Sequence, residues 1–186
     1  MWPWGHLVIG YLGYSALSSL WLRRPPSGRA TLLLVFGTQF PDLIDKPLAW
    51  TLHLLPSGRS LAHSLLVAVP LVILVYLHYR QHGHPSFGVA FGIGYLSHLF
   101  GDALFPFLHG EYAFLSFLGW PLLPPPPYGV EQGFIAHFTS IELTPFFALQ
   151  ICLIVVTFMV WLRDGYPGVG ELRSWITPYY EHIVEK

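Results

Sequence analysis

The stretch AHSLLVAVPLVILVYLHY at residues 62–79 decides the fold class, because it contains no Lys, Arg, Asp or Glu along its whole length. A helix needs about 20 apolar residues to cross the hydrocarbon core of a bilayer. Pro70 is compatible with such a helix, because neighbouring helices can satisfy the backbone groups that a proline frees. The stretch therefore predicts a transmembrane helix.

The composition of the whole chain agrees with this prediction. Of the 186 residues, 53% are hydrophobic and only 10% are charged, whereas about 25% are charged in an average soluble domain. So few charges cannot cover a soluble fold, and the net charge of −1 gives no reason to expect a nucleic-acid partner. The only cysteine, Cys152, excludes a disulfide framework. These values exclude a disordered protein and an ordinary cytosolic enzyme.

Other stretches free of charged residues lie at 1–22, 81–101 and 143–162. Residues 30–55 are also long enough to cross, but Pro41 and Pro47 disfavour helix in the residues before them, which predicts a broken or re-entrant helix. The predicted fold is all-α: a polytopic transmembrane helical bundle of about four to five membrane segments with one broken helix. Residues 1–164 would form the membrane domain, and residues 165–186 a cytoplasmic C-terminal tail.

The arginines predict an orientation. With five crossings, six of them fall on one side of the membrane, namely Arg23, Arg24, Arg29, Arg80, Arg163 and Arg173. The positive-inside rule makes that side cytoplasmic. We therefore expect a multi-pass protein of the inner or plasma membrane, with an extracytoplasmic N-terminus and a cytoplasmic C-terminus.

Several ionisable residues lie in or beside the apolar segments, where a charge is costly and indicates a functional site. With the predicted orientation they reach a similar depth from four helices, and they are His6, Asp42, Asp45, His63, His98 and Asp102. Imidazole and carboxylate are ligands for divalent metals. The set predicts one to three ions, with Zn²⁺ favoured over Mn²⁺ or Mg²⁺.

Each of these residues also has an ordinary structural interpretation. His98 and Asp102, one turn apart, can form a buried hydrogen bond that links helices. Asp42 can cap a helix, Asp45 can pair with Lys46, and His6 and His63 can be interfacial histidines. These alternatives stay open at the level of sequence.

Four segments in order resemble one family. They are WPWGHLVIGYL at 2–12, PDLIDKPLAW at 41–50, GRSLAHSLL at 58–66 and GYLSHLFGDAL at 94–104. Together they resemble the YdjM-like membrane-bound, metal-dependent hydrolases. The resemblance implies a membrane protein with divalent metal at the His and Asp positions of these segments.

A more distant similarity reaches the superfamily of zinc-dependent phospholipase C and single-strand nucleases. It rests on the Trp4-Gly5-His6 start and on the His98, Asp102 pair, which is followed by another histidine. The similarity implies further metal ligands, for which His109 and His137 are the candidates in this chain.

The favoured function is a membrane-embedded, metal-dependent hydrolase that acts on phosphoester bonds of a lipid or lipid-linked substrate. Asp42 or Asp45 would bridge metals or act as general base. Arg59 would contact either the phosphate of the substrate or the headgroups of surrounding lipids. The partners would be membrane lipids and a lipid or phosphoester substrate, with no nucleic acid. The alternatives are a metal-ion or proton transporter, and a structural or regulatory protein in which the His/Asp cluster only links helices.

Overall fold

The computed structural model of the chain describes residues 2–127, 133 and 143–184. Within these residues the chain is helical and contains no strand, which confirms the all-α prediction. The α-helices are α1 (Pro3–Leu17), α2 (Gly28–Lys46), α3 (Leu65–Gln81), α4 (Pro85–Leu108), α5 (Pro145–Arg163) and α6 (Val169–Val184). Wider π-helical turns extend α1 over Ser18–Leu22 and α2 over Pro47–Thr51, and a 3₁₀ helix covers Tyr112–Gly119.

Helix α4 lies at the centre of the bundle and contacts α1, α2 and α3. Two glycines allow its backbone to approach that of α2. A Cβ on Gly94 would overlap the carbonyl oxygen of Leu34, and a Cβ on Gly37 would overlap that of Phe91. Small residues are what permits such close helix packing in membrane proteins. This contact fixes the register of α4 against α2. The relative positions of the polar residues on the two helices depend on that register.

Helix α2 is not interrupted at Pro41. It runs as one α-helix from Gly28 to Lys46, with Pro41 buried inside it, and the hydrogen-bonding pattern widens only from Pro47 onward. The prediction of a break within the PDLID segment is therefore wrong. A proline removes one hydrogen bond from a helix, and here the packing of α2 against α4 keeps the helix together. As a result, Asp42 and Asp45 lie on one continuous helix.

The outer helices expose a large apolar surface. Among the described helices, α4 and α5 are long and apolar enough to cross a membrane, and α3 is apolar but shorter. Almost none of α5 is buried, and side chains such as Val155 and Met159 are largely exposed. Soluble monomers rarely expose apolar patches of this extent. The number of membrane segments stays a prediction.

The polar residues gather at one end of the bundle. This end is formed by the beginnings of α1 and α3, the end of α2 and the second half of α4. At the other end, Asp164 follows α5 and accepts hydrogen bonds from Ser15 and Tyr11 of α1. Helix α6, in the segment predicted as a tail, contacts α2 near that second end.

Candidate metal centre

The loop between α2 and α3 is organised by Asp45. This fully buried carboxylate accepts hydrogen bonds from the backbone N–H groups of Ser60 (2.8 Å), Ala62 (2.8 Å) and His63 (3.2 Å). Tyr95 of α4 donates its hydroxyl to the carbonyl of Ala62 at 2.6 Å. The loop therefore has a defined conformation, and it carries Arg59 and His63 into the polar end of the bundle.

The imidazole rings of His63 and His98 are each oriented by a hydrogen bond at Nδ1. In His63, Nδ1 lies 2.8 Å from Oδ2 of Asp45, and in His98, Nδ1 lies 2.7 Å from the carbonyl oxygen of Thr38. A carboxylate and a carbonyl can only accept, so both Nδ1 atoms carry the proton. In the neutral rings, both Nε2 atoms therefore present a lone pair, which is the usual arrangement of metal-binding histidines.

The two Nε2 atoms point toward each other and lie 3.1 Å apart. Carboxylate oxygens surround them. Nε2 of His63 lies 3.6 Å from Asp42 and 3.5 Å from Asp102, and Nε2 of His98 lies 3.8 Å and 3.7 Å from the same two residues. In a tetrahedral zinc site with bonds of about 2.0–2.1 Å, neighbouring ligand atoms are about 3.4 Å apart. The observed separations are close to that value.

His6 adds a third imidazole. Its ring is fully buried and stacks on that of His98, with 3.7 Å between the ring centres, and its Nε2 lies 3.4 Å from Oδ1 of Asp102. Neither ring nitrogen of His6 has a hydrogen-bond partner among the described residues. A buried polar group without a hydrogen bond is costly, and a bound cation would remove that cost at one of the two nitrogens.

These residues form two groups whose ligand atoms are close enough to share an ion: His6, His98 and Asp102, and Asp42, His63 and His98. His98 belongs to both groups and has one nitrogen available, so it can bind one ion only. The two groups are therefore parts of a single centre. We define the His/Asp centre as His6, Asp42, His63, His98 and Asp102.

Two cations border the His/Asp centre. Lys46 lies 2.6 Å from Oδ2 of Asp42, and Arg59 contacts both oxygens of Asp102, at 2.7 Å and 3.0 Å. With Asp45, these groups amount to three carboxylates and two cations, a formal charge of −1 while the histidines are neutral. One divalent ion changes this charge to +1. The region then suits an anionic ligand.

The role of Lys46 differs from the one predicted from the sequence. The predicted ion pair joins Lys46 to the adjacent Asp45, whereas the partner in the structure is Asp42, four residues earlier on the same helix. The i, i+4 spacing on a continuous helix could have identified this pair. The predicted break at Pro41 concealed it.

Of three further predicted site residues, two do not belong to the His/Asp centre and the third is not among the described residues. Asp45 contacts the far side of the His63 ring and belongs to neither ligand group. His109 is exposed beyond the end of α4, stacks on Phe105 and donates from Nδ1 to the carbonyl of that residue at 2.9 Å. His137 lies outside the described residues.

The two aspartates of α2 give a matched stability test. Asp45→Asn places an amide group against backbone N–H donors, so we expect it to lower the free energy of unfolding of the metal-free protein by about 1–3 kcal/mol. Asp42→Asn keeps an oxygen that can accept from Lys46 and faces no backbone N–H group, so we expect a smaller loss than in Asp45→Asn. Unfolding in detergent with a chelator present measures both. Equal losses in the two variants would contradict the positioning role of Asp45.

Comparison with known proteins identifies a family for this chain. A family model described as "YdjM inner membrane protein" matches residues 1–177. No curated protein and no solved structure matches the chain at a significant level. The resemblance to the YdjM family is thus confirmed, and the distant similarity to phospholipase C stays a prediction. Because the match extends over nearly the whole sequence, the chain belongs to the YdjM family of inner membrane proteins.

Proposed function

We propose that this protein is a membrane-embedded, metal-dependent hydrolase that cleaves phosphoester bonds of a lipid or lipid-linked substrate. The observation that carries the proposal is the 3.1 Å approach of the Nε2 atoms of His63 and His98. Two lone pairs repel each other at this distance unless a proton or a metal cation lies between them. The surrounding carboxylates, and the ring nitrogens of His6 that make no hydrogen bond, favour the metal cation.

The ligand types indicate which metal the centre would bind. Three imidazoles and two carboxylates form a mixed nitrogen and oxygen set, which suits Zn²⁺ well and also accommodates Mn²⁺. Mg²⁺ prefers oxygen ligands and is less suited. The described ligands account for one ion. A second or third ion would require a bridging carboxylate and the ligands predicted at His109 and His137.

The metal ion, Asp42 and Arg59 would have different roles in catalysis. A bound divalent ion would supply an acidified water and a counter-charge for phosphoryl oxygens. Asp42 is better suited than Asp45 to accept a proton from the attacking water, because one of its oxygens faces the centre and those of Asp45 already accept hydrogen bonds. Arg59, whose side chain is 27% exposed, would contact the phosphate.

A non-catalytic role is the second candidate. If His63 carries a second proton, its Nε2 donates a hydrogen bond to Nε2 of His98, and the pair links the loop to α4 without any metal. The same 3.1 Å distance is compatible with this interpretation. Metal analysis separates the two candidates.

The first test measures metal content and hydrolysis together. The protein is purified in detergent, stripped with a chelator and reloaded with Zn²⁺. We expect about one tightly bound ion per chain in the wild type, and loss of it in His98→Ala and Asp102→Ala. We expect Asp45→Asn to weaken binding about 10–100-fold, because this residue orients a ligand. His109→Ala, directly after the end of the helix that carries His98 and Asp102, is the control and should retain the metal.

Turnover of p-nitrophenyl phosphate and bis(p-nitrophenyl) phosphate should follow the metal content in these variants. Unchanged metal occupancy in His98→Ala and Asp102→Ala would contradict the His/Asp centre. Tightly bound metal without hydrolysis of any phosphoester would favour the transporter or the structural role.

We also propose a multi-pass topology with an extracytoplasmic N-terminus and a cytoplasmic C-terminus. The proposal is supported by the exposed apolar surfaces of α3 and α5 and by the charges at the two ends of the bundle. Arg80 lies in the last turn of α3, and Arg163 is the last residue of α5. Both lie at the end of the bundle opposite the His/Asp centre. The positive-inside rule assigns that end to the cytoplasm.

Two exposed histidines at opposite ends of the bundle test this topology. His53→Cys and His82→Cys are introduced separately into a Cys152→Ser background in intact cells. We expect a membrane-impermeant maleimide to label the cysteine at position 53 directly. Labelling at position 82 should require permeabilised cells. The reverse pattern would invert the orientation, and labelling of both from outside would contradict a membrane span in α3.

A further inference from the structure

A cleft of about 580 Å³ lies directly beside the His/Asp centre. It is bounded by the second half of α4, by residues 111–114 at the start of the 3₁₀ helix, and by the start of α5. Its lining includes Arg59, Asp102, Phe105, Glu111, Phe114 and Phe146. Its volume is within the range of about 300–1,000 Å³ that is typical of small-molecule sites.

The cleft has a polar end and an apolar body. At the polar end, Asp102 is 2% exposed within the His/Asp centre, and the Arg59 guanidinium that contacts it is more accessible. The apolar body consists of aromatic and proline side chains. Phe105 of α4 and Phe146 of α5 face each other with 5.4 Å between the ring centres. Glu111 is an exposed lining residue and adds a negative charge outside the centre.

We propose that this cleft holds the apolar chain of a phosphorylated amphiphile, whose phosphate group contacts Arg59 and the His/Asp centre. This inference rests on the proposed function and specifies its substrate class. Charge complementarity supports it, because Arg59 and a divalent ion would place positive charge at the polar end of the cleft. A small hydrophilic phosphoester would leave the aromatic walls without a ligand.

The arrangement predicts that affinity depends on chain length. Each methylene group that moves from water into an apolar site contributes up to about fourfold in affinity. Affinity should therefore rise along a series of ligands that share one phosphorus headgroup and differ in their alkyl chain. Arg59 should affect all members of the series equally, since it contacts the headgroup that they share.

Methyl-, butyl- and hexylphosphonate test this prediction, because they bind without being hydrolysed. Binding to the zinc-loaded protein in detergent is measured by isothermal titration, with empty micelles as the reference. We expect at least a tenfold gain in affinity from methyl- to hexylphosphonate in the wild type. Phe105→Ser and Phe114→Ser should each reduce this gain several-fold and leave the metal content unchanged.

Phe107→Ser is the matched control, because Phe107 lies on the same helix, is exposed and does not line the cleft. It should retain the full gain. Arg59→Gln should weaken binding of all three phosphonates by a similar factor. An affinity that is independent of chain length would overturn the cleft proposal, as would a gain that survives both phenylalanine variants.

These outcomes are separate from those of the proposed function. The protein could bind metal and hydrolyse small phosphoesters while its affinity for phosphonates does not depend on chain length. That result would contradict the cleft proposal and leave the proposed function intact. A chain-length dependence that is lost in Phe105→Ser, in a protein that hydrolyses no phosphoester, would support the cleft as a binding site and remove the hydrolase.

Discussion

The approach of the Nε2 atoms of His63 and His98 is the interaction on which the polar end of this protein depends. The Nδ1 atoms of the two rings donate hydrogen bonds to Asp45 and to the carbonyl of Thr38. The lone pairs on the two Nε2 atoms therefore face each other at 3.1 Å inside a buried region. Such an arrangement needs a positive charge between the two rings. We interpret the centre as a cation site that the surrounding fold keeps in shape before any cation binds.

The scaffold explains how two distant parts of the chain reach this geometry. The glycine contacts between α2 and α4 bring Thr38 next to His98, and the same helix pair places Asp42 opposite Asp102 across the imidazoles. Asp45 then fixes the loop that carries His63. The apolar residues outside this region provide a low-polarity environment, in which electrostatic interactions are stronger than in water.

The sequence predicted which residues would meet, because ionisable groups in an apolar chain are rare enough to stand out. It identified His6, Asp42, His63, His98 and Asp102, which the structure brings together. It did not predict the positioning role of Asp45. This role depends on backbone N–H groups of a loop, and the spacing of residues does not predict the conformation of that loop. The prediction for Pro41 was wrong for a related reason: a local rule for prolines takes no account of the packing of α2 against α4.

X-ray absorption spectroscopy of the zinc-loaded protein in detergent is the decisive measurement, since it reports the ligands of the ion itself. We expect a four- or five-coordinate site with at least two imidazole nitrogens at about 2.0–2.1 Å, completed by oxygen. The imidazole contribution should decrease in His98→Ala. A shell of oxygen ligands alone, or a spectrum that is identical in the wild type and in His98→Ala, would contradict a metal site built on these histidines.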